Sequence, residues 1–263
     1  MTSIAFVSPG QERHPKRWML FEQAAHALEW SVRDLLCLDP GDVVVTWNRH
    51  GSKNAVLDRL ERRGIRVAVV ENGYTSRMYG RRLTAFAWRD HGTIRCTYVG
   101  DDARWQDQGI DPQPWRRDGS DIVVMQQRSI GRAPVASPAQ WAERTAAELK
   151  RHTKRTVRIR QHPGRNGAGK PLEDDLQNAW CVVTWASSAA IRAMILGVPC
   201  FHAYSRWIAR DGAKPYGPQE IERPFYPDVG RLQMLRAISW AQWTDEEIAA
   251  GLPLMQPMAK VYG

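Results

Sequence analysis

Asp42–Trp47 (DVVVTW), Ser52–Arg63 (SKNAVLDRLERR) and Ile65–Val70 (IRVAVV) decide the fold. The first and third are β-branched apolar runs, the composition of strands buried on both faces. Pro40-Gly41 opens the first, and Gly64 closes the segment between them at the usual helix stop. That middle segment carries Ala55, Val56 and Leu60 among charges, as a helix of about three turns would. Strand, helix and strand in about 30 residues make a βαβ unit, so a parallel sheet is expected.

The pattern extends in both directions. Ser3–Ser8 (SIAFVS), closed by Pro9-Gly10, predicts a first strand, and Trp18, Phe21, Ala25 and Leu28 predict a helix over Lys16–Ala27. Tyr74–Trp115 is rich in Arg, Trp and Gly with weak periodicity, and reads as a helix followed by loops. Pro112, Pro114 and Asp118-Gly119-Ser120 form the best domain boundary. Beyond it the alternation restarts: strands at Asp121–Gln126, Val157–Arg160, Trp180–Trp185 and Val198–His202, and helices at Ser137–His152, Leu172–Asn178 and Ser187–Leu196. Ser137-Pro138 supplies a helix start with proline at the first helical position. Asp228–Ala250 reads as helical, with Thr244–Glu247 fitting a capping box. The expected fold class is α/β: two Rossmann-like domains facing a cleft, at residues 1–118 and 119–227, with a helical segment 228–263 packing back on the first. Ligands belong at the carboxyl ends of the strands.

Composition bounds the function. The 263 residues are 43% hydrophobic and 25% charged, enough for a sizeable core. No apolar run reaches the roughly 20 residues of a membrane span, and the N-terminus lacks a signal-peptide pattern, so a cytoplasmic protein is expected. Cys37, Cys96, Cys181 and Cys200 have no metal-ligand or disulfide spacing, and the last two read as buried small hydrophobes. Net charge is +9, carried by 30 Arg against 7 Lys. A polyanionic partner would explain it, because guanidinium grips phosphate in a fork; a GC-rich genome would explain the Arg share alone. Between Lys150 and Lys170 stand eight basic residues and no acidic one, which suggests a patch.

Four strand-end loops carry the chemistry. In Arg160-Gln161-His162-Pro163-Gly164, Pro163 holds His162 in extended backbone, and Arg160 and His162 suit a phosphate; a solvated surface turn would look the same. In Thr184-Trp185-Ala186-Ser187-Ser188, hydroxyl residues at a helix start leave N–H groups for a phosphate, although Ser187 is equally a plain N-cap. Gln126-Gln127-Arg128-Ser129-Ile130-Gly131 resembles a phosphate-facing loop but is too poor in glycine for a Walker A or dinucleotide fingerprint. Glu71-Asn72-Gly73-Tyr74 ends a strand, and Glu71 would serve as general base if burial raised its pKa, or as a turn residue or Arg partner if not. Glu12, Arg13 and His14, after the first strand, could line the same cleft. Neither Asp101-Asp102 nor Asp174-Asp175 forms a metal triad, and no metal is expected.

Together VENGY (70–74), R-x-H-P (160–163) and VVTWASSAAIRAMILGVPCF (182–201) resemble GT-B glycosyltransferases related to the capsular-polysaccharide Kdo-type transferases. The order GDVVVTWNR, VENGY, PWR, QRSIG, R-x-HPG, W-x-S is also similar to bacteriophage proteins that look like glycosyltransferases of hypermodified DNA. The resemblance spans roughly Gly41 to Trp243. It implies a metal-independent enzyme that moves a sugar from a nucleotide-sugar, with a UDP-sugar as the expected donor, to 5-hydroxymethylcytosine or 5-hydroxymethyluracil in phage DNA. The alternatives are a surface-polysaccharide transferase or a catalytically inactive nucleic-acid-binding relative. It places Gln127, Arg128, Arg160, His162, Thr184, Trp185, Ser187 and Ser188 on the donor. Glu12, Arg13, His14, Trp47, Asn48, Arg49, Asn72, Gly73 and Tyr74 fall on the acceptor, with Glu71 and His162 catalytic. One departure stands out: where the Kdo-type pattern has Asp, this chain has Asn72.

Overall fold

The computed structural model describes residues 2–7, 15–94, 99–163 and 170–256. The chain divides into two compact units: one runs up to Asp101 and resumes at Ser239, the other spans Asp102–Ile238. The division therefore falls ahead of the Pro112–Ser120 stretch that composition singles out, and residues 102–118 belong with the second unit.

In the first unit the order is β1 (Ser3–Val7), α1 (Pro15–Ala27), β2 (Ser31–Val32), β3 (Val43–Trp47), α2 (Lys53–Arg62), β4 (Arg66–Asn72), α3 (Ser76–Tyr79) and β5 (Thr84–Trp88). β2, β1, β3 and β4 are parallel neighbours, and β5 turns back antiparallel on β4. The βαβ unit of β3, α2 and β4 is thus as the sequence requires, and Gly64 sits past the α2 terminus at φ +82°. β5 lies within the Arg- and Trp-rich stretch that reads as loops. Its five residues, TAFAW, are all buried and have no alternation to betray a strand.

The second unit contains α4 (Ala103–Gln108), β6 (Asp121–Met125), α5 (Trp141–Leu149), β7 (Thr156–Arg160), α6 (Leu172–Leu176), β8 (Ala179–Thr184), α7 (Ser188–Ile195), β9 (Cys200–His202), β10 (Lys214–Pro215) and all but the last two residues of α8 (Asp228–Trp240). Its sheet is parallel in the order β10-β9-β8-β6-β7. α5 starts at Trp141 rather than at the Ser137-Pro138 signal, because Gln140 takes a left-handed conformation at φ 53° just before it. Ser187 caps α7 by accepting from Ala189 N at 3.2 Å. Cys181 and Cys200 are buried, and burial pushes both thiols up in pKa.

From Ser239 the chain rejoins the first unit, where β11 (Gln242–Trp243) pairs antiparallel with β5, followed by α9 (Asp245–Ala249) and α10 (Leu252–Met255). The stretch 228–250 that reads as helical is α8 and α9, with β11 between them. The Thr244–Glu247 capping box is present in both directions and opens α9. Each unit is a Rossmann-like α/β layer, with strand order 2-1-3-4-5 around its first strand.

Candidate functional site

In open parallel sheets ligands collect beyond the carboxyl ends of the strands, where the order reverses. In the second unit that point lies between β6 and β8. Two consecutive glutamines knit the loops there. Gln127 Oε1 accepts from Ala186 N at 2.7 Å, tying the loop after β6 to the one after β8. Gln126 Oε1 accepts from His162 N at 3.4 Å, and its Nε2 donates to Glu143 at 3.1 Å. Thr184 Oγ1 accepts from Ser187 N at 2.9 Å, fixing the first turn of α7. Gln127, His162, Thr184, Ser187 and Ser188 are thus brought to one edge, with Arg128 exposed beside them. Burial lowers the His162 pKa, and the Arg128 and Arg160 charges add to the effect, so the imidazole is neutral at neutral pH. A neutral ring flanked by cations is poised to gain a proton when an anion arrives.

Two donor-side residues are otherwise engaged. Arg160 ion-pairs with Asp175 and donates to the Lys170 carbonyl at 3.1 Å, so its guanidinium is already compensated. Asp175 also takes Arg158 at 3.3 Å, which gives one half of the Asp174-Asp175 pair a structural role. Trp185 braces the scaffold: its Nε1 donates to the Pro134 and Val135 carbonyls at 3.1 and 3.2 Å, and its ring stacks on Tyr204. The basic patch thins likewise, since Arg155 pairs with Glu222 and Arg158 with Asp121.

At the corresponding edge of the first unit, alternation along β4 separates two residues that the motif places side by side. Successive side chains point to opposite faces of a sheet. Asn72 follows Val70 onto the face packed by α1, where Trp18 and Phe21 lie. Glu71 follows Val69 onto the α2 face, with Leu57 and Leu60. There it receives the phenol of buried Tyr74; burial and the Glu71 charge push the Tyr74 pKa up, against a backbone bond from Gly92. Glu71 and Tyr74 are therefore a pair behind the sheet, apart from Asn72.

Arg49 is likewise no surface group. Its side chain is fully buried; Nη1 and Nη2 each donate to Glu61 at 2.8 Å, Nη2 to Asp58 at 2.5 Å and Nη1 to the Arg89 carbonyl at 2.9 Å. Although burial opposes it, the paired carboxylates raise its pKa. Asn48 turns the chain out of β3 at φ 56°, a region that asparagine tolerates. Gly73 is required by close approach: a Cβ there would lie 2.5 Å from Leu83 Cβ. Glu12, Arg13 and His14 lie outside the described residues.

The face that holds Asn72 contains a residue without any sequence signal. Arg17, in the first turn of α1, lies over the Trp47 ring at 4.3 Å and donates from Nη2 to Asn72 Oδ1 at 3.1 Å. Its Nη1 is buried and has no acceptor among the described residues. Desolvation first, and Arg82 second, lower its pKa to about 10, against a raising contribution from Asp245. Leaving a buried donor unsatisfied costs about 1–3 kcal/mol, so this nitrogen has room in its energetics for a further acceptor, water or ligand. Gln242 gives no sequence signal either: it is fully buried in β11, and its Oε1 accepts from Tyr74 N and Thr75 N, fixing the turn after Gly73.

Among the described residues no cluster of His, Cys, Asp and Glu could hold a metal ion, and no helix is long and apolar enough to cross a membrane.

The fold has solved counterparts. Thermosulfurimonas dismutans KpsC, beta Kdo 2,7 transferase, superposes with a TM-score of 0.54 at 15% identity, covering 97% of this chain and 100% of that one. KpsC beta Kdo 2,4 transferase of the same organism gives 0.54 at 11% identity, covering 89% and 90%. At such identities the likeness establishes the α/β, GT-B-like fold and nothing finer. No protein-family model matches the chain, and no curated protein matches it.

Proposed function

We propose that the chain is a glycosyltransferase whose second unit binds a nucleotide-sugar and whose first unit receives the acceptor. The observation that carries this reading is the edge built by Gln126 and Gln127, which gathers His162, Arg128 and the capped start of α7 at the strand-order reversal. Backbone N–H groups at a helix start, a cation and an imidazole that becomes a donor once it has taken a proton are what a leaving phosphate needs. As the bond from the anomeric carbon to the phosphate oxygen breaks, negative charge grows on that oxygen. Arg128 stabilises it, while the acceptor hydroxyl bonds to the carbon and passes its proton to the neutral His162 imidazole, which as imidazolium then stabilises the same oxygen. These protein cations do the work without a metal in this reading, and a UDP-sugar is the first donor to test.

The likeness of fold to Kdo transferases favours a glycan acceptor. The net charge of +9 keeps DNA as a second reading, with a hydroxymethylated pyrimidine as its acceptor. Such a base would have to leave the duplex to be reached. Pairing of Arg155, Arg158 and Arg160 with acids weakens that case.

The test is a screen of nucleotide-sugars against hydroxymethylcytosine DNA, hydroxymethyluracil DNA and acidic oligosaccharides, read by mass spectrometry. Transfer that drops on His162→Ala supports the reading. Absence of transfer from every donor, together with nucleotides that leave the His162 resonance unmoved, overturns it.

A further inference from the structure

Arg17 and Arg66 are the arginines around β4 and β5 with no carboxylate in ion-pair range among the described residues; Arg66 donates to the Gly41 carbonyl, and of the two only Arg17 keeps a buried guanidinium nitrogen without an acceptor there. Arg82 is paired with Asp245, Arg81 with Glu246, and Arg49 with Glu61 and Asp58. Among the described residues Arg17 donates to the neutral amide of Asn72, at 3.1 Å, and lies over the face of Trp47, with Asp245 acting on it beyond ion-pair range, while its buried Nη1 has no acceptor. Two further polar atoms nearby in the fold are in the same condition. Thr84 lies opposite Asn72 in the β4–β5 ladder, so both side chains share one face, and its buried hydroxyl has no partner among the described residues. Asn48 Oδ1, at the end of β3, has none there either. A carboxylate in place of the Asn72 amide would fill the same space and neutralise Arg17; the neutral residue leaves the charge available.

We propose that Arg17 reads the charge of the acceptor, taking a single carboxylate of an acidic sugar beside Trp47, with Asn72 orienting the guanidinium without neutralising it. The depressed Arg17 pKa fits this arrangement, since burial has made the cation costly and an arriving anion relieves that cost. A phosphodiester backbone is held by several cations spaced along it, and Arg49, Arg81 and Arg82 of the same unit are already paired with acids. The inference rests on assigning the acceptor to the first unit.

The experiment titrates the full-length protein with D-glucuronate, D-glucose and the dinucleotide dTpdT, followed by NMR. Glucuronate is expected to bind saturably and glucose, which differs by the carboxylate, to leave the spectrum unmoved. Arg17→Gln and Asn72→Asp should each weaken glucuronate binding at least tenfold. Asn72→Asp is the decisive variant, because it supplies an internal partner for Arg17 and should melt at or above the wild-type temperature. Glucuronate binding unchanged in Asn72→Asp, no saturable binding to the wild type, or binding of dTpdT in preference to glucuronate would each overturn the proposal. Because no turnover is read, the two ideas separate. Arg17-dependent glucuronate binding without sugar transfer would sink only the enzymatic reading, and transfer without such binding would sink only this one.

Discussion

Replacing Arg49 by Met separates an acceptor-binding arginine from one that holds the first unit together. The side chain is fully buried, with two 2.8 Å bonds to Glu61, one of 2.5 Å to Asp58 and one of 2.9 Å to the Arg89 carbonyl. Methionine fills much of the volume but leaves two carboxylates and a carbonyl without their donor. Breaking a buried ion pair costs about 3–5 kcal/mol. Here Asp58 and Glu61 are 44% and 21% exposed, so water recovers part of the loss and the low end, about 3 kcal/mol, is expected. For a unit of this size that corresponds to roughly 10 °C in Tm. Calorimetry is the assay, because two units need not unfold together and the first unit's transition should move alone. Arg49→Lys should fall between, since an ammonium cannot reproduce the bidentate fork to Glu61. A Met variant that melts within a degree or two of wild type yet fails to bind acceptor would refute the structural assignment.

Further outcomes rest on the same geometry. His162 has a folded pKa below its ordinary 6.5, so the unfolded chain holds the proton more tightly; stability should fall as pH drops below that value. A bound nucleotide phosphate should reverse the shift, seen as a higher His162 midpoint in NMR and as donor affinity that improves on mild acidification. Gln127→Ala removes the acceptor for Ala186 N and should weaken donor binding about tenfold while the fold persists, as calorimetric titration would report. Gly73→Ala drives a Cβ into Leu83 and should cost about 1–3 kcal/mol in denaturant unfolding. Thr244→Ala breaks the α9 capping box and should cost about 0.5–2 kcal/mol in the same assay.

The elements legible in the sequence are those whose identity is set locally. Val43–Trp47 and Arg66–Asn72 are β-branched runs bounded by glycine and proline, and the Thr244 box is a four-residue signal, so each can be read without its neighbours. β5 and β11 cannot. Thr84–Trp88 is a strand because β4 and β11 pair with it on either side, and two residues of β11 carry no periodicity at all. The division at Asp101 escapes the sequence for a related reason. Pro112–Ser120 reads as a linker by composition, but Gln113 and Arg116 donate backbone bonds to Ile195 and Gly197, which ties the stretch to α7. Turn-forming residues mark where a chain bends; only pairing marks the unit to which it belongs.

The candidate site divides along the same line. The His162 and Ser187 loops are visible because a strand followed by His-Pro or by small hydroxyl residues states its position in the chain and its chemistry at once. What the sequence does not state is which charges are already compensated. Arg49, Arg160 and Arg17 read alike as arginines near strand ends or helix starts. In the structure the first is buried on Glu61 and Asp58, the second is paired with Asp175, and the third donates to an amide and has no ion pair among the described residues. The partners of the first two lie 9–15 residues away on neighbouring helices, and Asn72 lies 55 residues from Arg17. Glu71 and Asn72 read as one motif because they are adjacent, yet strand alternation sends adjacent side chains to opposite faces, so adjacency argues against a shared site. Alternation alone assigns Trp47, Asn72 and Thr84 to one face of the sheet and Glu71 to the other. It sets Glu71 with Tyr74 on the α2 face and Asn72 on the α1 face, beside Arg17.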